Sequence, residues 1–589
     1  MDWPYRFVDL SDGEKADRRH LLDAYATAAQ ASVLLPLLLI ALHRLGGRVR
    51  REWTAGGGLS EAPGSPQRKA GGALAADGIA SLRRRTRAWA WWCGDDCEVA
   101  GWRLGSNGEV VAAAGWVAWS GALCLAQTGQ DYLHVTRRFG LVAAAQLPFH
   151  YLLGVKSPYS PVQLITGRSH EQLNSVHRLW GRIILALLYC HAALYLNFYV
   201  QTGLLAVKLS QFDVLCGMCG IFALTVLGCT ALSPVRRRSY RVFYVAHMAV
   251  ATALPLVLFF HTTHVRIFVY QMALVHCINV ALRGWNSCTV RGKLRAIPGT
   301  SLLEITVPLD KGTGTSGLRG FEAGQHAYVA WAGKSVSRTF RSNPFSVASV
   351  PTIDHELRFV VRVLDGNTAR FARETPRSAA AKFTIEGPYG VSTHGEELLK
   401  CNKTVFVAGG VGATFVVPLY QQLLADLSPS KGSFRRANVS FVWVARSLAD
   451  VTWALPSDQT ERNGFEERLR LYLTRPGADV PTGTETGFAT SIEEWTPDVA
   501  NEPGHGLEME EQKSLLPDNG GAAAGGLKFS AGRPDLQRVT DQAFGHGPTE
   551  KVGVVVCGPL GLRREMREHV GRWVGRSREV WYWEEAFAL

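Results

Sequence analysis

Residues 177–191 read HRLWGRIILALLYCH, an almost wholly apolar stretch that begins and ends with histidine. The two histidines are 14 residues apart, so on an α-helix His177 and His191 share one face, roughly 21 Å apart along the axis. A single histidine in such a helix is commonly explained by a local hydrogen bond. A second helix with the same pattern would favour a joint functional role for the four imidazoles.

That second helix is predicted at residues 247–261, HMAVATALPLVLFFH, where the two histidines are again 14 residues apart. Ionisable side chains inside membrane spans are rare and are functional hypotheses by default. Because a neutral imidazole is a common axial ligand of haem iron, the two helices could hold two haems stacked across a bilayer. The other interpretation, in which each histidine only makes a local hydrogen bond, stays open. Three further histidines have no partner at this spacing and are predicted to be structural: His150, His264 and His276.

The composition indicates a chain that is half membrane-embedded and half soluble. Its 589 residues are 47% hydrophobic, the mean hydropathy is +0.01, and the long apolar stretches all precede Arg283. The polar N-terminus does not read as a secretory signal, because the first apolar stretch is long enough to be a span. Seven stretches are near the length that crosses a hydrocarbon core of about 30 Å: about residues 21–43, 111–127, 135–155, 178–200, 212–232, 242–262 and 265–282.

Membrane topology explains the net charge of +13 better than a nucleic-acid partner does. Arginines cluster at 83–85 and in PVRRRSYR at 234–241, both between predicted spans, and positively charged loops stay on the cytoplasmic side. With seven spans the N-terminus is extracytoplasmic, whereas the 44–110 loop and everything after residue 283 are cytoplasmic. The two histidine helices are then parallel, with matching levels for the pairs His177/His247 and His191/His261.

Neither the cysteines nor the polar segments predict a further folded site. CGDDC at 93–97 and CGMC at 216–219 have no second ligand pair at zinc spacing, so these members of the 11 cysteines are predicted to be incidental thiols. Composition rich in Gly, Ala and Pro, or in acidic and polar residues, predicts disorder at 52–80 and at about 475–548.

After residue 288 the pattern changes to short β-rich runs such as SLLEITVPL at 301–309 and LRFVVRVL at 357–364. VFVAGGVGATFVVPLY at 405–420 then gives an apolar strand, a glycine-rich turn and the start of a helix. Glycines let the backbone approach a pyrophosphate, and a helix N-terminus favours its charge. The turn is GGVGAT and lacks the full G-x-G-x-x-G fingerprint, so a purely structural turn is the alternative. A second strand and turn, VGVVVCGPLG at 552–561, favours the nucleotide site.

Several short motifs follow one another along the chain: LITGRSHEQLNSVHRLWGR, PFS, VRVLDGNT, EGPYG, AGGVGAT, CGP and EEAF. In these motifs and in both histidine pairs the chain resembles the ferric reductase and NADPH oxidase superfamily, and most closely the fungal ferric-chelate reductases, over about 130–474 and 550–589. The resemblance implies a multi-domain fold. An α-helical transmembrane bundle of about seven spans would precede a cytoplasmic ferredoxin-reductase-like module with a β-barrel FAD domain and an α/β NADPH domain.

The expected domain organisation combines this resemblance with the hydropathy pattern. It runs from an extracytoplasmic N-terminus at 1–20, through a first span with a basic and partly disordered loop at 21–110, to a transmembrane haem domain at 111–283, an FAD domain at 288–398 and an NADPH domain at 400–589.

The resemblance also implies cofactor-binding residues, position by position. Three match the motif that holds the FAD isoalloxazine and three the segment that binds its diphosphate: Pro344, Phe345, Ser346, Arg362, Gly366 and Thr368. Four match the NADPH pyrophosphate loop and three the strand end beside the nicotinamide: Gly409, Gly410, Gly412, Thr414, Cys557, Gly558 and Pro559. Cys557 is a predicted catalytic residue. So is Phe587, which matches a near-terminal aromatic residue that covers the flavin.

Two further positions bear on cofactor binding. Arg446, in FVWVARS, is placed to meet the 2′-phosphate of NADPH, since a fixed guanidinium suits a phosphate dianion. Asn343 departs from the family, which usually has histidine before Pro-Phe. An amide offers hydrogen bonds but does not titrate near neutral pH.

The implied activity is electron transfer from NADPH through FAD and two b-type haems to an extracytoplasmic Fe(III) or Cu(II) chelate, in iron or copper uptake. The four paired histidines would fill both axial positions of each haem iron. The alternative is a superoxide-generating NADPH oxidase, which shares every internal motif, although the chain has no D-x-D-x-D-G loop of the kind that marks a calcium-regulated oxidase. A seven-span receptor or transporter without redox chemistry is the third possibility.

The expected surroundings follow from that activity. We expect an integral membrane protein of the plasma membrane, with a vacuolar or other internal membrane as the alternative. The expected partners are the metal chelate, membrane lipid and an iron permease or ferroxidase, and no nucleic acid.

Overall fold

The computed structural model consists of a helical bundle, an antiparallel β-domain and a mostly parallel α/β-domain, in that order along the chain. It describes residues 4–56, 73–100, 102–309, 318, 320–332, 342–364, 367–374, 381–428, 438–456, 464–475, 523–524, 527–545, 547 and 550–586.

The first half of the chain is helical. Its helices are α1 (Asp12–Ser32), α2 (Leu34–Gly56), α3 (Ala73–Cys93), α4 (Asn107–Leu125), α5 (Tyr132–Leu153), α6 (Pro161–Thr166), α7 (His170–Gln201), α8 (Leu205–Leu209), α9 (Phe212–Thr230), α10 (Ser233–Arg238), α11 (Tyr240–His261) and α12 (Arg266–Trp285). Among the described residues, six helical stretches are long and apolar enough to cross a membrane: Asp12–Gly47, Asn107–Leu125, His170–Gln201, Phe212–Thr230, Tyr240–His261 and Thr263–Trp285. The chain is therefore an integral membrane protein.

The remaining predicted span, 135–155, is helix α5, which is not one of these six. Arg137 and Arg138 lower its hydropathy, yet most of the helix is buried between its neighbours. Arg138 is fully buried, donates to the carbonyl of Leu123 at 3.1 Å and lies 3.8 Å from the ring centre of Tyr25. A charge inside the bundle is tolerated because the protein itself supplies these partners.

The bundle has two distinct ends, here called the domain end, where α7 begins and α12 leads into the β-domain, and the far end, where α7 and α11 finish. Helix α1 begins at Asp12 with a capping box from Ser11, so the predicted N-terminal tail of 1–20 is partly helical. The residues before it pack on the far end. Phe7 contacts the rings of Tyr132 and Phe198, each with a centroid separation of 5.0 Å.

The predicted basic loop at 44–110 contains more structure than its composition indicated. Helix α2 continues to Gly56 and α3 begins at Ala73, although disorder was predicted over 52–80; residues 57–72 lie outside the described part. A two-stranded antiparallel hairpin, β1 (Asp96–Val99) and β2 (Trp102–Ser106), then leads directly into α4.

The β-domain is a six-stranded antiparallel sheet in the order β6-β5-β8-β3-β4-β7. Its strands are β3 (Ser287–Ala296), β4 (Leu302–Pro308), β5 (His326–Trp331), β6 (Asn343–Ser346), β7 (Glu356–Arg362) and β8 (Ala381–Tyr389), with α13 (Pro351–Asp354) and α14 (Asn367–Glu374). Alternate residues of β3, β4 and β8 point into an apolar core. The edge strands β6 and β7 approach each other, so the sheet nearly closes into the predicted barrel.

The α/β-domain is a seven-stranded sheet in the order β12-β13-β11-β10-β9-β14-β15, parallel except for β12. Its elements are α15 (His394–Leu399), β9 (Lys403–Gly409), α16 (Ala413–Asp426), β10 (Asn438–Ala445), β11 (Leu469–Leu473), β12 (Ala523–Ala524), β13 (Leu527–Ala531), α17 (Leu536–Phe544), β14 (Lys551–Cys557), α18 (Leu560–Gly575) and β15 (Glu579–Glu585). The central strands are apolar on both faces, as a parallel sheet covered by helices requires.

The predicted disordered insert of 475–548 extends too far. Strand β13 pairs with β11, and α17 buries Leu536, Val539 and Phe544 in the core of the α/β-domain. The segment is polar overall, which favoured disorder, but its few apolar residues lie on one face of a nine-residue helix. Residues 476–522 lie outside the described part.

A buried ion pair joins the bundle to the β-domain. Arg283, near the end of α12, makes two hydrogen bonds to Glu386 on β8, at 2.9 Å and 3.1 Å, and both side chains are mostly buried. Burial would raise the pKa of Glu386, but the hydrogen bonds and charge of Arg283 outweigh it, so the pKa lies below its ordinary value. The carboxylate is thus held ionised by a residue of the bundle.

We predict that Glu386→Gln lowers the melting temperature of the purified protein, because Arg283 keeps a buried charge without its counterion, which costs about 3 kcal/mol. Folding lowers the pKa of Glu386 from its unfolded value, near 4.5. The contribution of Glu386 to the free energy of unfolding is therefore fully present above pH 4.5 and is lost as the pH falls through the lower pKa of the folded state.

The control is Arg295→Gln, which breaks a pair whose arginine is 72% exposed and should cost less than about 1 kcal/mol. Equal melting temperatures for the two variants, measured by scanning fluorimetry at pH 7, would show that the Arg283–Glu386 pair does not hold the junction.

Candidate functional site

The four paired histidines lie at two levels inside the bundle. His177 on α7 and His247 on α11 have ring centroids 6.1 Å apart, and His191 and His261 on the same two helices have centroids 6.4 Å apart. The first pair lies toward the domain end and the second toward the far end. The structure therefore brings together the residues that the spacing and the parallel topology paired.

These separations fit a metal between each pair of rings. A metal–imidazole bond is about 2 Å, and two such bonds plus the half-width of each ring require ring centres roughly 6 Å apart. Two imidazoles in direct stacking contact would lie closer, as His150 and His177 do at 4.0 Å. Both pairs thus have the spacing of two axial ligands with an atom between them.

The two far-end histidines are held by the same local arrangement. The Nδ1–H of His191 donates to the carbonyl of Thr136 at 2.8 Å, and that of His261 donates to the carbonyl of Asp213 at 2.9 Å. Four residues after each carbonyl stands a glycine, Gly140 or Gly217. A Cβ at either position would lie 2.5 Å from the imidazole, so only glycine leaves room for the ring.

The domain-end level repeats half of this arrangement. The Nδ1 of His177 lies 3.3 Å from the carbonyl of His150, and Gly154, four residues later, would bring a Cβ to 3.8 Å from the same ring. The Nδ1 of His247 has no hydrogen-bond partner in the described part of the chain. A hydrogen bond at Nδ1 fixes the tautomer and leaves Nε2 free as a metal ligand.

The remaining bundle histidines are not paired in this way. His150 on α5 stacks on His177, with the rings nearly parallel at 11°. His276 on α12 contacts the hydroxyl of Thr252 at 3.4 Å. No cluster of three or more His, Cys, Asp or Glu suited to a metal occurs among the described residues.

The glycine-rich turn of the α/β-domain packs directly on a second turn. A Cβ at Gly409, the last residue of β9, would lie 2.7 Å from Pro559, and one at Gly412 would collide with the carbonyl of Cys557. Gly410 has a φ of +54°, which favours glycine. Thr414, in the first turn of α16, donates to the carbonyl of Val411 at 2.9 Å.

The two turns together form the carboxyl edge of β9 and β14, with the start of a helix behind each. Cys557 ends β14 and is fully buried, and burial raises the pKa of its thiol. The structure therefore brings the predicted residues Gly409, Gly412 and Pro559 into one cluster with Cys557.

Two arginines lie near this glycine turn, where the β-domain meets the α/β-domain. Arg362 ends β7, and its guanidinium comes within 3.8 Å of a Cβ placed on Gly410. Its Nε is buried with no hydrogen-bond partner in the described part of the chain. Burial and the nearby charge of Arg446 lower the pKa of Arg362. Arg446 follows β10 and is exposed. A mouth with two cations and an unpaired donor is suited to phosphate.

The predicted flavin motif forms strand β6, which pairs with β5. Ser346 lies opposite His326, Phe345 opposite Ala327 and Pro344 opposite Tyr328. Thr368 is buried at the start of α14 and closes its turn by hydrogen bonds with the backbone of Leu364, both at 2.9 Å. Two predicted site residues, Gly366 and Phe587, lie outside the described residues.

Sequence reasoning missed a polar cluster between this motif and the bundle. The carboxylate of Glu171, in the first turn of α7, lies 3.0 Å from Nε2 of His326, and the ammonium of Lys156 lies 2.7 Å from the ring centre of Tyr328. Burial lowers the pKa of Lys156 to about 7. Glu585, which accepts from Trp583 at 3.1 Å, has its pKa raised to about 7 by burial.

Glu171 and Glu585 belong to the quoted motifs GRSHEQLNSVHRLWGR and EEAF, so the available signal was an acidic residue inside each. The contacts of both residues depend on how the bundle and the two domains dock, and neither motif carries that information.

Comparison with solved structures gives only distant similarity. A flavohemoglobin from Malassezia yamatoensis aligns with a TM-score of 0.34 at 14% identity, covering 76% of this chain and 96% of that one. A ferredoxin reductase in carbazole 1,9a-dioxygenase aligns with a TM-score of 0.29 at 15% identity, covering 51% of this chain and 70% of that one. Neither similarity carries an argument about this chain.

Curated relatives are more similar to the chain in sequence. A protein named probable metalloreductase AIM14 from Meyerozyma guilliermondii is 25% identical over 463 residues, which is 78% of this chain and 85% of that protein. A probable ferric reductase transmembrane component from Eremothecium gossypii is 26% identical over 393 residues, 60% of this chain and 52% of that protein. Ferric reductase transmembrane component 1 of Schizosaccharomyces pombe is 24% identical over 362 residues, covering 54% and 60%.

Three family models match consecutive parts of the chain. They are the ferric reductase like transmembrane component at residues 139–258, the FAD-binding domain at 292–393 and the ferric reductase NAD binding domain at 401–571. Each coincides with one of the three architectural parts described above. The chain therefore belongs to the ferric reductase family, as a membrane-spanning oxidoreductase with FAD- and NAD-binding domains.

Proposed function

We propose that this chain is an NADPH-dependent metalloreductase. It would carry electrons through FAD and two b-type haems across the membrane to an Fe(III) or Cu(II) chelate, in iron or copper uptake. The observation that carries the proposal is the pair of histidine levels, each with ring centres at the separation of two axial ligands. The chain's relatives named as metalloreductases and ferric reductases support the same activity.

The protein's contribution to the NADPH site is electrostatic and steric. The cations of Arg362 and Arg446 would hold phosphate groups at the mouth between the domains, and the glycine turn would admit a pyrophosphate to the backbone. Cys557 would limit water at the nicotinamide end, because its side chain is fully buried.

The flavin site lies close to the first histidine level. Ser346 is opposite His326 on the neighbouring strand, and His326 contacts Glu171 on α7. His177 is six residues further along that helix, about 9 Å. When bound, FAD would accept a hydride and release its electrons singly, as haem iron requires. The chain's residues would thus hold flavin and inner haem at the short separation that electron transfer requires.

The histidines would act as axial ligands in their neutral form. The carbonyls of Thr136, Asp213 and His150 orient three of the four rings, which directs Nε2 toward the space between the helices. His177 and His247 would hold one haem and His191 and His261 the other, and these groups would supply one-electron transfer.

We place the domain end in the cytoplasm and the far end outside it. Arginines at 83–85 and 234–241 flank the spans on the domain side, as the positive-inside tendency predicts. The plasma membrane is the proposed location, and a permease or ferroxidase the proposed partner that would accept the reduced metal.

The far end bears on the choice between a metalloreductase and an oxidase. Its connections are short, at residues 126–131, 202–211 and 262–265, although Phe7 and its neighbours cover part of α5 and α7. A bulky chelate needs only an accessible haem edge, whereas rapid oxygen reduction would need a small enclosed pocket. The short connections favour the chelate.

We predict that His177→Ala or His247→Ala removes the inner haem and that His191→Ala or His261→Ala removes the outer one. The haem content of the purified protein, measured by pyridine haemochrome, should fall from two per chain to one. His276→Ala is the control, because the ring of His276 contacts the hydroxyl of Thr252 and the edge of Tyr151. This variant should keep both haems. Loss of the outer haem in His264→Ala with retention in His261→Ala would refute the pairing.

Two glycine variants test the same site with all ligands in place. Gly217→Ala puts a Cβ at 2.5 Å from the ring of His261, whereas Gly220→Ala, on the same helix, meets its nearest atom at 3.7 Å. The first should shift the low-spin electron paramagnetic resonance signal of the outer haem and the second should not. Identical spectra for both variants would mean that Gly217 does not set the orientation of His261.

A further prediction concerns nucleotide choice. Arg446→Ala should raise the Michaelis constant for NADPH about tenfold, by loss of a charge-assisted phosphate contact, and change activity with NADH little. Arg470→Ala is the control, because Arg470, on β11, donates a hydrogen bond of 2.7 Å to Gln542. Equal loss with both nucleotides would assign Arg446 another role.

The acceptor can be identified with membranes that contain the protein. Given NADPH on the domain side, they should reduce an impermeant ferric chelate on the far side at a rate unaffected by superoxide dismutase. If dismutase suppressed most of the reduction, superoxide would be the true product and the chain would be an NADPH oxidase.

A further inference from the structure

Residues 87–99, here called the clamp segment, connect the membrane bundle to helix α18 and strand β15 of the α/β-domain. The segment comprises the last turns of α3, a turn at Gly94 and strand β1. Through α3 and α4 it is covalently continuous with the bundle on both sides. None of the three family models reaches it, because the earliest match begins at residue 139.

Two arginines on one face of α18 receive the clamp segment. Arg567 forms an ion pair with Asp95 at 3.0 Å and donates to the carbonyl of Trp91 at 2.9 Å. Arg564, one turn earlier, pairs with Asp96 at 3.0 Å and with Glu98 at 2.7 Å. The charges are complementary, with acidic residues on the segment and basic residues on the helix.

An aromatic contact lies beside the ion pairs. Trp91 packs edge-to-face on Tyr582 of β15, with centroids 5.3 Å apart, and the guanidinium of Arg567 lies 4.5 Å from the Trp91 ring centre. Two glycines permit this approach. A Cβ on Gly571 would lie 2.7 Å from the indole nitrogen of Trp91, and one on Gly94 would collide with the guanidinium of Arg567.

The interface is charged and open. A cleft of about 550 Å³ beside the contacts is lined largely by the same charged side chains, and the paired groups are between 22% and 51% exposed. Exposed ion pairs are individually weak and are screened by salt. Such a surface suits a contact that forms and opens, and not a permanent core.

The helix that receives the clamp segment also carries the nicotinamide end of the site. Helix α18 begins directly after Cys557-Gly558-Pro559, and Arg563 in its first turn donates to the carbonyl of Gly558 at 3.0 Å. The opposite face of α18 buries Met566 and Val570.

We propose that the clamp segment docks the NADPH domain against the membrane bundle and so controls the rate at which electrons pass from the flavin to the inner haem. This inference rests on the proposed function. Arg283–Glu386 connects the bundle to the β-domain. The docked clamp segment additionally connects the bundle to the α/β-domain. Without the clamp segment, the contacts of the β-domain, such as Arg283–Glu386 and Glu171–His326, would hold the module to the bundle on one side, and the flavin would spend less time at transfer distance.

The test uses charge reversal in the full chain. Arg567→Glu places a negative charge against Asp95, and Arg567→Glu combined with Asp95→Arg restores an opposite-charge pair. The control is Arg572→Glu on the same helix, whose partner, Glu568, lies within α18 and is exposed. Two rates are measured on purified protein without oxygen: NADPH-driven reduction of ferricyanide, which takes electrons from flavin, and NADPH-driven reduction of the haems.

Arg567→Glu should slow haem reduction roughly three- to tenfold and leave ferricyanide reduction unchanged. The double variant should recover most of the rate of haem reduction. Arg572→Glu should match the wild type in both rates. An unchanged haem rate in Arg567→Glu would overturn the proposal. So would equal slowing of both rates without rescue, since that would reflect damage to the NADPH site.

A measurement independent of electron transfer covers the case in which the wild-type protein contains no NADPH-reducible haem. That result would refute the proposed function and the proposed role of the clamp segment in electron transfer. Docking of the clamp segment is measured separately, by hydrogen exchange. Arg567→Glu should speed exchange in residues 94–106, and Arg572→Glu should not. Equal protection in both variants would show that these ion pairs do not hold the segment.

Discussion

Four imidazoles inside an apolar bundle impose the constraint on which the rest of this structure depends. Each ring has two nitrogens, and in a medium without water each nitrogen needs a partner from the protein or from a ligand. On the far-end level the carbonyls of Thr136 and Asp213 each take one Nδ1–H. The nitrogens left over on facing rings then point into the space between the helices, where the proposed metal would bind.

This constraint also explains the flanking helices. Each far-end imidazole donates to a carbonyl of a flanking helix and lies against the residue four positions later, where a Cβ would collide with the ring. Gly140 on α5 and Gly217 on α9 meet that requirement. Helix α5 is therefore buried at the bundle centre although its arginines lower its hydropathy, because it supplies the carbonyls that orient the rings of α7.

The sequence predicts the parts of this site that depend on periodicity, and it misses those that depend on docking. Equal spacing on two helices predicted which histidines lie at one level, since helix rise is fixed by backbone geometry. Glycines 140 and 217 gave no signal, because small residues in a membrane helix have many uses. Glu171, His326 and Asp95 act across contacts between residues far apart in the chain, and no local pattern encodes such contacts. Composition alone assigned disorder to α17, which its few apolar residues bury in the α/β-domain.

The two levels differ in construction, and the difference follows from where the helices end. The far-end level is built from two equal arrangements, one on α5 and one on α9. Toward the domain end, α5 offers the same pair 14 residues later, the carbonyl of His150 and Gly154. Fourteen residues after Asp213 and Gly217 the chain has Leu227, near the end of α9, and Ala231, just after that helix. The Nδ1 of His247 has no hydrogen-bond partner among the described residues. A hydrogen bond at Nδ1 makes an imidazole a stronger donor to its metal. On the proposed function, the chain would therefore hold its two haems unequally, with a carbonyl partner at Nδ1 for both histidines of the far-end level and for only His177 at the domain-end level.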